Sequence, residues 1–173
     1  MLRALITLGT LFLTAASAAG QPAPIKDPLL EHLAGTWVLR GTIAGQQTTH
    51  DVTVEWMLGH QYLRIHETSR EKDGGGQPQY EALVIVGWDA ASAEYQCLWL
   101  DTTGGGGLVA RSIGHGKRRD DNAVPFLFRS QDGSVDFSNT FSYDTSTDSW
   151  TWRMDNVQKG KATSFGLVRL TRK

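Results

Sequence analysis

Three charged side chains sit where an interior of β-structure could use them. Glu67 follows Leu63 and Ile65 at alternate positions. Asp101 follows Tyr95, Cys97 and Trp99, and Arg169 follows Phe165 and Leu167. If each alternation marks an inward face, two carboxylates and a guanidinium point into one interior. Such groups bind the polar head of a ligand or pair with one another. Each also has a plainer reading, a strand end in water. Six tryptophans accompany them, at positions 37, 56, 88, 99, 150 and 152, all in segments patterned as strands. Trp150 and Trp152 share a face with Met154, and Trp56 continues the face of Val52 and Val54. Rings so placed either wall an apolar cavity that holds a few polar groups or fill a barrel outright. The ligand-binding set expected from these patterns is Trp56, Glu67, Trp99, Asp101, Trp152 and Arg169.

Other chemistries find less support. The histidines are His32, His50, His60, His66 and His115. A metal centre needs three or four convergent ligands. His60 and His66 would lie about 20 Å apart on an extended strand, and His50 and Asp51 point to opposite faces. No metal site and no cofactor are expected. Gly104 to Gly107 lacks the Lys-Ser/Thr and the following helix of a phosphate-binding loop, and reads as a hairpin or portal loop. The basic run His115-Gly116-Lys117-Arg118-Arg119 is followed at once by Asp120-Asp121 and reads as a solvated loop. No Gly-x-Ser-x-Gly elbow is present, so no catalytic residue is assigned and binding is favoured over catalysis. The single cysteine, Cys97, excludes an intrachain disulfide and a cysteine-based zinc site. Between Tyr95 and Trp99 on an alternating segment, it reads as a small buried apolar group. With 17 Lys and Arg against 18 Asp and Glu, the chain is not a general nucleic-acid binder.

The elements that must position these residues are mostly strands. Asp27-Pro28 forms a helix start, with Leu29, Leu30 and Leu33 behind it and Gly35 as its stop. This predicts one short helix over residues 28 to 33. Period-2 alternation then runs through 37–43, 52–56, 62–68, 95–101, 126–129, 135–143, 149–154 and 164–171. Residues 80–88 are nearly all apolar, which predicts a strand covered on both faces. A short strand is expected over 108–113 and a charged loop over 115–122. About ten strands joined by short turns predict an all-β domain, and sequential hairpins favour an up-and-down meander. Closure into a barrel would remove two exposed sheet edges.

The N-terminus carries an address. Met1-Leu2-Arg3 is a short basic start, residues 4–16 are largely apolar, and Ala16-Ser17-Ala18 suits a signal peptidase. Residues 1–20 therefore read as a secretory signal, 21–26 as a linker, and 27–173 as the barrel domain. The apolar run is too short for a stable membrane anchor. The expected location is periplasmic or secreted.

Gly35-Thr36-Trp37, placed after a short helix and opening the first strand, resembles the G-x-W signature of the lipocalin and fatty-acid-binding (calycin) barrels. The resemblance implies that Trp37 plugs a closed end and that a basic residue of the last strand packs over it. Arg172 is the best match for that partner, with Arg169 second. Leu58 to Leu63, Tyr80 to Asp89, Tyr95 to Asp101 and Thr171-Arg172 resemble a narrower group of uncharacterised bacterial lipocalin-like proteins, which implies a fold and no agreed activity. Nitrobindin-type haem barrels are similar at G-x-W. Their haem-ligating histidine lies near the C-terminus, whereas the last histidine here is His115.

These readings converge on an exported protein that holds a small apolar or amphipathic ligand inside a β-barrel. The alternatives are a filled barrel that acts through a protein partner and, with less support, an isomerase or hydrolase that uses a buried carboxylate.

Overall fold

The computed structural model describes residues 24–103, 108–120 and 122–173. The leader read at 1–20, most of the linker and the glycine run at 104–107 lie outside these residues. Helix α1 (Pro28–Leu33) is followed by ten strands: β1 (Gly35–Ile43), β2 (Gln46–Met57), β3 (Tyr62–Ser69), β4 (Glu81–Asp89), β5 (Glu94–Asp101), β6 (Ile113–Gly116), β7 (Ala123–Arg129), β8 (Val135–Asp144), β9 (Ser149–Gln158) and β10 (Lys161–Arg172). Each strand pairs antiparallel with its predecessor, and β10 returns to β1, so the sheet is a closed meander barrel.

Helix α1 caps one end. Its N-cap Asp27 accepts from the Leu29 backbone N–H at 2.8 Å, which satisfies one of the donors a helix start leaves unpaired. The same carboxylate takes the Tyr95 hydroxyl, which ties the helix to β5. Leu29, Leu30 and Leu33 are buried in the same core as Trp37, Leu39, Trp150 and Leu170. Trp37 is fully buried, and its indole N–H donates to the Leu33 carbonyl at 2.8 Å. The Arg172 guanidinium lies over the Trp37 ring, 3.9 Å from its centroid, and donates to the carbonyls of Ala34 and His32. Gly35 has φ +132°, and a Cβ there would collide with that guanidinium. The glycine is what lets the arginine reach across.

At the other end, the β1–β2 and β9–β10 hairpins turn on Ala44-Gly45 and Lys159-Gly160, with positive φ at both residues of each turn, as two-residue hairpin loops require. An eight-stranded barrel is just wide enough to be filled by its side chains, and diameter grows with strand number. Ten strands leave room that the aromatic residues do not fill.

Three local expectations need correction. The strand expected at 108–113 lies at 113–116. Leu108 and Val109 are exposed, and Ala110–Ser112 make a single 3-10 turn. Gly114 and Gly116 disguise the strand, because glycine weakens the strand signal while letting backbones approach closely. A Cβ on Gly114 would lie 2.7 Å from the Phe128 ring. Strand β4 is covered on one face only. Ala82, Val84 and Val86 are buried, whereas on the opposite face Leu83 is exposed and Ile85 only half-buried. Strand β10 contains a bulge between Ser164 and Gly166, where Phe165 is the extra residue, and its alternation slips by one beyond that point.

Candidate functional site

The open half of the barrel holds a cavity of about 520 Å³. One buried polar group in its lining is made by two neighbouring strands. On β2 the inward face runs through Thr48, His50, Val52 and Val54, and on β3 through Leu63, Ile65, Glu67 and Ser69. Val52 faces Glu67 and His50 faces Ser69 in the β2–β3 register, so His50 and Glu67 are diagonal neighbours on one face. Their side chains are buried and joined by a short bond between His50 Nδ1 and Glu67 Oε1. His50 Nε2 lies 2.6 Å from the Thr48 hydroxyl, which in turn donates to Glu71 Oε2 at 3.2 Å. Burial alone would raise the Glu71 carboxyl. Hydrogen bonds from the backbone N–H groups of Glu71 and Thr49 and from the Thr48 hydroxyl, with nearby His50, outweigh it and lower the pKa. The result is a hydrogen-bonded chain running from Glu67 through His50 and Thr48 to Glu71, able to orient a polar molecule.

Tyr80, just ahead of β4, stacks on His50 with ring centroids 5.5 Å apart. Its oxygen accepts from Trp99 Nε1 at 3.1 Å. Burial, then the negative charges of Glu67 and Asp101, pushes the phenol far above its ordinary pKa. It therefore stays protonated and offers its hydrogen as a donor. On the facing wall Phe128, Phe137, Phe165 and Met154 supply apolar surface.

Two buried side chains of this wall have polar atoms with no hydrogen-bond partner. Asn139, 1% exposed, leaves both its amide nitrogen and its oxygen unpaired, and fully buried Trp152 leaves its indole N–H unpaired. Both line the cavity. Nearly all buried polar groups in folded proteins are paired, so such groups call for an explanation. Among the described residues, no group of three or more His, Cys, Asp and Glu side chains is arranged to hold a metal ion.

Of the six residues expected to bind a ligand, Glu67, Trp99, Asp101 and Trp152 line this cavity. Asp101 is also a strand end, bonded to the backbone N–H of Thr103 at 2.8 Å. Trp56 and Arg169 lie elsewhere. Trp56 keeps its inward parity but sits at the capped end, where it donates to Glu31 at 3.0 Å and stacks on His60. Arg169 faces outward, with its side chain 52% exposed, and meets Thr147 and Asp144. The bulge at Phe165 is the reason. Phe165 enters the cavity, but Val168 and Leu170, not Leu167 and Arg169, are the inward residues after it. Cys97 is fully buried, and burial raises its thiol pKa, so it is held as a thiol.

Sequence reasoning missed His50, Tyr80 and Asn139. The signal for two of them was present. Extending the Val52–Val54–Trp56 face backward reaches His50, and Asn139 alternates with Phe137 and Phe141. No protein-family model matches the chain, and no curated protein is detectably similar to it. The geometry of the site therefore carries the functional argument.

Proposed function

We propose that this protein is an exported, lipocalin-like binding protein that holds a small amphipathic molecule in the open half of its barrel. The observation that carries the reading is the cavity of about 520 Å³ with unpaired polar atoms of Asn139 and Trp152 in its wall. That volume lies within the ordinary range for small-ligand sites. Desolvation of the ligand's apolar part would drive binding, at roughly 25 cal/mol per Å² before the entropy of association is subtracted. The lipocalin-like part of the reading is supported by Trp37 at the capped end with Arg172 over its ring. Export, to a periplasm or to the medium, is supported by the leader-like pattern of residues 1–20. Native mass spectrometry of the protein purified gently from its own host tests the binding. The expected result is a reproducible added mass that leaves on denaturation. A bare chain mass, together with no change in Trp99 and Trp152 emission on titration with apolar probes, would overturn it.

A second reading, contact with a protein partner, rests on the outside of the barrel. Leu83 pairs with Leu100 and Ile85 with Leu98 in the β4–β5 register, so four apolar side chains form an outward stripe. Leu83→Lys interrupts the stripe and leaves the cavity untouched. Ligand binding that survives this change while an association in solution is lost would assign the two surfaces separate roles.

A further inference from the structure

We propose that the ligand carries an uncharged carboxamide-type group, a carbonyl with an adjacent N–H, and that this group seats on Asn139 and Trp152. The inference rests on the binding reading above and adds the chemistry of the ligand to it.

The Asn139 carboxamide has two N–H donors and an acceptor oxygen, and the Trp152 indole is a donor only. None of these atoms is paired, and both residues are inside. They belong to adjacent strands. Asn139 faces Met154, and Phe141 faces Trp152, so Asn139 and Trp152 are diagonal neighbours on one face, within reach of a single small group. A carbonyl oxygen with its two lone pairs accepts from the Asn139 amide and from the indole. The N–H beside it donates to the Asn139 oxygen. Exchanging the Asn139 nitrogen and oxygen does not alter this demand, since both atoms are unpaired.

Other head groups fit less well. A carboxylate offers only acceptors and leaves the Asn139 oxygen bare. An ammonium offers only donors and leaves the N–H groups of Asn139 and Trp152 bare. A hydroxyl supplies one donor and cannot present a donor and an acceptor on neighbouring atoms. The charge around the cavity also opposes an anion. Its lining includes the carboxylates of Glu67, Glu71, Asp101 and Asp136, against one arginine, the exposed Arg111. His50 is already engaged by Glu67 and Thr48. The sequence-based expectation of an interior guanidinium, Arg169, would have favoured a carboxylate ligand. With Arg169 outside, that preference loses its support.

The test is a competition among four molecules that share one tail: decanamide, decanoate, decylamine and decanol. Each is titrated against the full mature protein at neutral pH and read by tryptophan emission and calorimetry. Decanamide is expected to bind at least tenfold more tightly than the other three. Asn139→Leu is expected to remove that margin while leaving decanol affinity within about twofold. Trp152→Phe, which keeps a six-membered aromatic ring and deletes the N–H with the five-membered ring, serves if the first variant fails to fold, and is expected to weaken decanamide more than the other three. Equal affinities, a preference for decanoate, decylamine or decanol, or a preference that survives both variants would overturn the inference. If none of the four binds but a host-derived ligand is present, its composition decides. A ligand without adjacent carbonyl and N–H overturns the amide assignment and leaves the binding reading standing. No added mass and no binding of any probe would remove the binding reading itself.

Discussion

The two ends of this barrel are built from the same strands and solve opposite problems. At the capped end, the polar groups of the core are paired as they are buried. The Trp37 indole has the Leu33 carbonyl, Asp27 has the Leu29 amide and the Tyr95 hydroxyl, and Arg172 spans helix and strand. At the open end, where Thr48, His50 and Glu67 are linked to one another, the walls enclose a cavity, and the buried Asn139 and Trp152 keep unpaired atoms. Trp37 and Trp152 make the contrast within one residue type. Both are fully buried, yet only the first has a partner for its N–H. The core is thus closed at one end and leaves a polar-lined cavity at the other, as the proposed binding of a small molecule needs.

The contrast can be tested from its largest expected effect downward. Trp37→Ala should destabilise the fold by about 3–5 kcal/mol, as loss of a fully buried ring does, seen as a lower urea midpoint with an unchanged slope. Glu67→Leu, at the open end, should cost about 3 kcal/mol because it leaves His50 buried without its partner. The double variant with His50→Leu should recover most of that loss. A full, unrecovered cost would mean that the pair is structural rather than a feature of the site. Arg172→Ala should cost about 2 kcal/mol through the lost ring contact and carbonyl bonds, and Arg172→Lys should restore little of it, since only the planar fork makes these bonds together. Asn139→Leu should have the opposite sign. Removing an unpaired buried amide should stabilise the ligand-free protein by about 1 kcal/mol, measured by thermal unfolding, while binding weakens. A loss of stability there would show that Asn139 has partners in solution.

The smallest effect is with acid, and it distinguishes neither end. The Arg70 hydrogen bond holds the Asp51 carboxyl at about 2. The Ser134 hydroxyl does the same for Asp132 in an open-end turn, and the Ser146 hydroxyl for Asp144 at the capped end, each to about 2. A pKa lowered on folding contributes stability above the ordinary carboxylate range and loses it as pH falls through the folded value. The melting temperature should therefore drop between about pH 4 and pH 2, and Asp51→Asn should flatten that drop slightly. All three carboxylates are solvent-exposed, so the change should be modest and should shrink with added salt.

The parts of the site that could be read in advance share one property. Glu67, Trp99, Asp101 and Trp152 lie on strands whose alternation is unbroken from the core to the cavity. Arg169 fails because a bulge at Phe165 intervenes, and a one-residue slip moves every later side chain to the other face. Trp56 fails for a different reason. Its face is right, but alternation gives no position along the barrel axis, and it lies at the capped end. His50 is visible by parity, but the sequence offers it only as a candidate metal ligand. Its role depends on Glu67 from the neighbouring strand, which no pattern within β2 contains.

By itself the sequence determined the class of fold. Period-2 alternation, turn residues at short intervals and one capped apolar turn leave a meander barrel with a short helix as the architecture that buries the apolar faces and closes the edges. These are local properties, written in neighbouring residues. The tertiary structure alone decided where the barrel is full and where it is hollow. That depends on ten strands making a wider ring than eight, on α1 entering one end and not the other, and on which residues meet across strands distant in the chain. The pairing of His50 with Glu67, the reach of Arg172 over Trp37 and the unpaired state of Asn139 are sums over such non-local contacts. Hydrophobic periodicity carries no record of them.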